Sequence, residues 1–145
     1  MIPAAFSKPQ EPPYVQNKRA QMDDVSKEND ITYFGAGACH IFALELHRRY
    51  SYPLRLIEQE SGRISHVYCV RRGQPFDVRA GKEDPRYFFL NYCGKLRDIT
   101  ENELVLLFTG DNWNGVKYGL WGDPDFVIKA TERAKRCAAN PEYAP

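Results

Sequence analysis

The chain has 145 residues, enough for one ordinary core and too few for two. Lys and Arg number 20 against 19 Asp and Glu, a formal net charge of +1, so no global field of either sign points to nucleic acid or to an anionic membrane as partner. Hydrophobic residues make up 43% and aromatic residues 13%, a globular composition, and no apolar run approaches the ~18 residues expected of a membrane-spanning helix.

Pro3, Pro9, Pro12 and Pro13 stand among few aliphatics and mark residues 1–17 as an extended, proline-rich arm ahead of a single domain over residues 18–145. The first eight residues lack the basic start and apolar stretch of a secretory signal. The expected location is therefore the cytoplasm, or a target cell reached without a cleaved signal peptide. Residues 18–28 are polar and read as a short helix, followed by a loop marked by Asn29, Asp30 and the glycines Gly35 and Gly37. From 38 to 50 the pattern is helical, with Phe42, Ala43 and Leu46 on one apolar face and Cys39 on that face one turn earlier.

Pro53 separates this helix from a strand over Leu54–Glu58, and Ser61-Gly62-Arg63 supplies a turn. The next strand, Ile64–Arg71, alternates so that His66, Tyr68 and Val70 share one side while Val67 and Cys69 share the other. Gly73 and Pro75 bracket a tight turn into a second short strand over 74–79 that carries Asp77. His66 and Asp77 are thereby expected on adjacent antiparallel strands, within cross-strand reach.

Thr100-Glu-Asn-Glu103 before Leu104 has the form of a capping box opening a short helix. The glycine-rich loop over 110–122 carries Trp113, Tyr118 and Trp121, candidates either for the wall of a substrate cleft or for a cover over the core edge. Asp123-Pro124 then reads as an N-cap and first helical position, and Phe126, Val127, Ala130, Ala134, Cys137 and Ala138 form the stripe of a last helix ending at about Ala138.

The order Cys39, His66, Asp77 is the order of a nucleophile, a base and a residue that orients the base. A helix N-terminus and a nearby imidazolium both favour the thiolate over the thiol. A carboxylate accepting from one ring nitrogen fixes the tautomer that presents the other to sulfur. Small residues around Cys39 keep bulk away from the thiol and leave backbone N–H groups, that of Cys39 first, free to stabilise an oxyanion. Taken singly, a buried cysteine, a half-buried histidine and a turn aspartate are unremarkable; together they point to catalysis.

No CxxC pair and no regular spacing links Cys39, Cys69, Cys93 and Cys137, which argues against a zinc ribbon or disulfide scaffold and for a reduced compartment. The last three are assigned to packing. His40 and His47 lie about 10 Å apart along the helix axis, too far to share one ion, and are assigned to the surface. Without HExxH or clustered cysteines, no metal site is expected.

Between about Tyr33 and Arg79 the pattern Gly-x-Cys-x-x-Phe-Ala, then a strand histidine, then an aspartate resembles the papain-like and transglutaminase-like superfamily of cysteine hydrolases and acyltransferases. The resemblance implies a papain-like α+β fold, with the cysteine-bearing helix packed on a small antiparallel β-sheet. It makes Cys39 the nucleophile, His66 the general base and acid, and Asp77 the orienting residue. A second oxyanion donor upstream of the cysteine is nominated as Asn29 or Tyr33. The implied activity is a peptidase, amidase or deamidase acting through a thioester on a protein or peptide substrate, with no cofactor. The small size and extended arm resemble compact bacterial or phage effectors, toxins and amidases. The alternative is a non-catalytic interaction module with a degenerate papain-like fold, holding a protein partner through the 113–121 loop and the proline-rich arm.

Overall fold

Alternating apolar residues and two tight turns fold the middle of the chain into four strands, β1 (Leu54–Glu58), β2 (Ile64–Arg71), β3 (Gln74–Phe76) and β4 (Lys95–Asp98). They form one antiparallel sheet in the order β3-β2-β1-β4. The structure is a computed structural model that describes Pro13, Gln16 and residues 27–35, 38–109 and 123–145, excepting the side chains of residues 27–29 and 32. Four helices complete the described residues: α1 (Lys27–Gly35), α2 (Cys39–Tyr50), α3 (Glu101–Phe108) and α4 (Pro124–Ala138). The chain is thus an α+β protein with a small antiparallel sheet. Of the proline-rich arm only Pro13 and Gln16 are described, both exposed.

Arg72 and Gly73, both at positive φ (53° and 76°), make the two-residue turn between β2 and β3 with Arg71 opposite Gln74, a turn whose twist matches that of the strands it joins. Pairing of Leu54 with Cys69 and of Leu56 with Val67 puts these four on one face, where they join residues of all four helices in a single core. The other face carries Ile57, His66 and Tyr68, and Phe88, Phe89 and Tyr92 of the following segment pack over it. The alternation read in β2 therefore separates a helix-covered face from a face covered by irregular chain.

The helix boundaries follow their caps. Thr100 accepts from the Glu103 N–H at 3.2 Å and donates its hydroxyl to the Glu103 carboxylate at 3.1 Å. Asp123 accepts from the N–H groups of Asp125 and Phe126, with Pro124 at the first helical position. Ser51 in the left-handed region closes α2, its N–H donating to the His47 carbonyl at 2.8 Å.

Three sequence expectations are corrected. Asn29, Asp30 and Gly35 do not form a loop but belong to α1, which is held by buried Tyr33 and Phe34 and by an ion pair from Asp30 to Arg133 of α4. The second short strand stops at Phe76, so Asp77 lies just past its end; Asp77 Oδ1 accepts from the Arg79 N–H at 2.9 Å, and this local turn lifts the chain off the sheet. Cys93 is exposed rather than packed, while Cys69 and Cys137 are buried. The unforeseen β4 pairs with β1, and Gly94 at φ 132° precedes it where an added Cβ would fall 2.5 Å from the Glu58 carbonyl oxygen.

Residues at the C-terminal end brace the turn that holds Asp77. The Tyr143 hydroxyl donates to the Val78 carbonyl at 2.6 Å, the Tyr52 hydroxyl donates to the Tyr143 carbonyl at 2.6 Å, and Arg71 donates to the carbonyls of Glu142 and Ala144. Tyr143 itself is fully buried against Phe42 and Phe76.

Candidate active site

Cys39 is the first residue of α2, and the residue before it is Ala38, which offers no side-chain cap. Cys39 thus sits at the positive end of the helix dipole, which favours an anion there. Against the half-buried Cys39 thiol lie two imidazoles, those of His66 and His40. Burial alone would push this thiol up. The charge of His66, together with the two polar rings beside the sulfur, outweighs burial and brings Cys39 down to about 5.

His66 projects from β2 and is 1% exposed. Its Nε2–H donates to Asp77 Oδ2 at 2.9 Å, which leaves Nδ1 as the nitrogen that faces Cys39. Burial favours the neutral ring. The negative charge of Cys39, the hydrogen bonds to Asp77 and Cys39, and the charge of Asp77 together carry His66 the other way, up to about 9. Near neutral pH the pair is therefore thiolate and imidazolium.

Asp77 is buried and does not depend on His66 alone. The Arg79 guanidinium donates to both of its oxygens, Nη2 to Oδ2 at 2.8 Å and Nε to Oδ1 at 3.0 Å. Burial raises the carboxyl, but hydrogen bonds from His66 and Arg79 and their charges hold it at about 2, so it stays ionised wherever the thiolate exists. Arg79 is steadied in turn by Glu83 at 2.7 Å and lies 4.2 Å above the Phe88 ring.

The three residues singled out in the sequence are thus brought together. Tyr33 is fully buried in α1, with the Arg133 guanidinium 4.4 Å over its ring and Phe34 at its edge. Asn29 belongs to α1 by its backbone, and its side chain lies outside the described residues. Trp113, Tyr118 and Trp121 also lie outside them. Among the described residues, no three His, Cys, Asp or Glu side chains are grouped as a metal site, and no helix is long and apolar enough to cross a membrane.

Two site residues were not foreseen. His40, assigned to the surface, is fully buried beside Phe108 at 4.9 Å, because every α2 residue from His40 to Leu46 is covered and not only one stripe. Burial lowers its basicity and so favours a neutral imidazole beside the thiol. His40→Phe keeps a ring next to Phe108 but removes the polar nitrogens. The midpoint for Cys39 alkylation is expected to rise by about one pH unit, read from the rate of iodoacetamide labelling against pH. The second is Tyr92, whose ring lies parallel to His66 at 4.3 Å with 5° between planes. Its signal in the sequence was the density of aromatic residues at Tyr87, Phe88, Phe89 and Tyr92.

No family model matches this chain, and no match was found among curated proteins or solved structures.

Proposed function

We propose that the protein is a thiol hydrolase acting on a peptide or carboxamide bond, with Cys39 as nucleophile, His66 as general acid and base, and Asp77 as the residue that orients His66. The observation that carries this reading is the placement of Cys39 at the start of α2 beside the buried His66 ring, whose Nε2 is tied to the buried Asp77 carboxylate at 2.9 Å; these surroundings push the thiol down and the imidazole up. Structural cysteines have no use for such an arrangement; Cys69, buried on the sheet, is pushed up by its surroundings instead.

In the first half-reaction Cys39 Sγ adds to the carbonyl carbon, and the C=O π pair moves onto oxygen. The Cys39 N–H, at the uncapped start of α2, is the donor assigned to that oxyanion. When the tetrahedral adduct collapses, the C–N bond breaks and His66 Nδ1 gives its proton to the departing amine or ammonia. The neutral ring then takes a proton from water, hydroxide adds to the thioester carbonyl, the C–S bond breaks, and thiolate and imidazolium are restored. An amine in place of water gives transamidation from the same thioester. This chemistry accords with the papain-like and transglutaminase-like resemblance of residues 33–79 and with a protein or peptide substrate.

The test is turnover of a mixed pool of glutamine-containing peptides, followed by ammonia release and by the appearance of new amino termini. The expected rate is bell-shaped in pH. It is lost below about 5 as Cys39 regains its proton and above about 9 as His66 loses the proton needed by the leaving group. Cys39→Ala is expected to show no turnover; products formed equally by that variant would refute the proposal.

A further inference from the structure

Tyr92 is neither the nucleophile nor the orienting acid, yet it contacts His66 and the arginine that braces Asp77. Its ring face covers the His66 imidazole at 4.3 Å, and its hydroxyl accepts from Arg79 Nη2 at 3.4 Å, the same nitrogen that donates to Asp77. A ring seated face-on over an imidazole within this distance presents its negative π cloud to whatever charge the imidazole carries. It also stops the imidazole from turning about its bond to the chain.

The groups facing His66 are Cys39 from α2, Asp77 from the turn after β3, Phe88 and Tyr92 from the covering segment, and Tyr68 from its own strand. Arg79 and, behind it, Glu83 complete the charged surroundings of Tyr92. Of these, Cys39 and Asp77 act on the imidazolium through their charge, and Tyr92 is the ring that lies nearest to it, at 4.3 Å against 5.9 Å for Phe88 and 6.2 Å for Tyr68.

We propose that Tyr92 is a positioning residue for His66: its π face stabilises the imidazolium and locks the ring with Nδ1 toward Cys39 and Nε2 toward Asp77. The catalytic consequence rests on the thiol-hydrolase reading, whereas the effect on His66 does not. Loss of the π face weakens proton binding at His66 even if no amide is ever turned over. The Tyr92 hydroxyl is held up near 12, by burial first, with Arg79 opposing and Asp77, Cys39 and Glu83 adding to the rise. It therefore does not titrate across the window in which His66 does.

The experiment is a titration of the full chain carrying ring-labelled histidine, followed by NMR. With only three histidines, the His66 signal is assigned by its loss in His66→Gln. The native midpoint is expected near 9, and Tyr92→Phe keeps it. Pentafluorophenylalanine at position 92 preserves the ring's shape but reverses its quadrupole, and is expected to weaken proton binding at His66 by about three- to tenfold. Tyr92→Leu, a second and independent variant, is expected to do the same. An unchanged midpoint with either replacement would overturn the proposal. Loss of peptide turnover with an unchanged midpoint would count against Tyr92 and not against the hydrolase reading. A shifted midpoint in a protein without turnover would do the opposite.

Discussion

At pH 6, iodoacetamide is expected to alkylate Cys39 ahead of Cys93, although Cys93 is the more exposed thiol. A thiol brought to about 5 is mostly thiolate at that pH, whereas a thiol at the reference value of 9.0 is ionised about one part in a thousand. Nucleophilicity falls with basicity and returns part of the advantage. With a Brønsted slope of about 0.45, the net gain over an unperturbed thiol is about tenfold. His66→Asn removes the facing cation and is expected to abolish that advantage. Peptide mapping after brief labelling measures both results, and unfolding in urea serves as the control, since it separates the two side chains without changing either. Equal labelling of Cys39 in the native and unfolded chain would remove the basis for a nucleophile.

The largest expected effect on stability involves none of Cys39, His66 and Asp77. Arg133 is 1% exposed, and its Nε donates to Asp30 Oδ1 at 2.8 Å, joining α4 to α1 across a sequence separation of 103 residues. Arg133→Met leaves the Asp30 carboxylate without this cation in a largely dry site, and is expected to cost about 3–5 kcal/mol in urea unfolding. Asp30→Leu combined with Arg133→Met removes both charges and is expected to recover most of the loss. A double variant as unstable as Arg133→Met alone would show that packing of the arginine stem over Tyr33, and not the charge, is what α1 depends on.

That pair also explains what could be read from the sequence. Elements announced by local chemistry were legible: β1 and β2 from alternation, α3 from Thr100 and Glu103, and α4 from Asp123 and Pro124. Each depends on residues within a few positions of one another. Helix α1 was hidden because its polar Asp30 is satisfied by a partner at the other end of the chain, which no periodicity reveals. Strand β4, Lys95–Asp98, is an edge strand with an exposed Leu96, so it lacks the buried face that makes strands conspicuous.

The site divides in the same way. Cys39, His66 and Asp77 could be chosen because a nucleophile, a base and an acid fell in order on recognisable elements. His40 was misplaced because one apolar stripe was read where the first half of α2 is enclosed on all sides. Tyr92 comes from the segment between β3 and β4, and its place over His66 depends on long-range pairing of β4 and β2 with β1 rather than on any local pattern.

The hydrogen bond from Tyr143 to the Val78 carbonyl has a bearing on biosynthesis. The bend that carries the orienting acid lacks this clasp until a residue 65 positions later has left the ribosome. The bend around Asp77 is thus completed by a contact between residues far apart in sequence, and a fragment that stops before Tyr143 is expected to hold that bend less firmly.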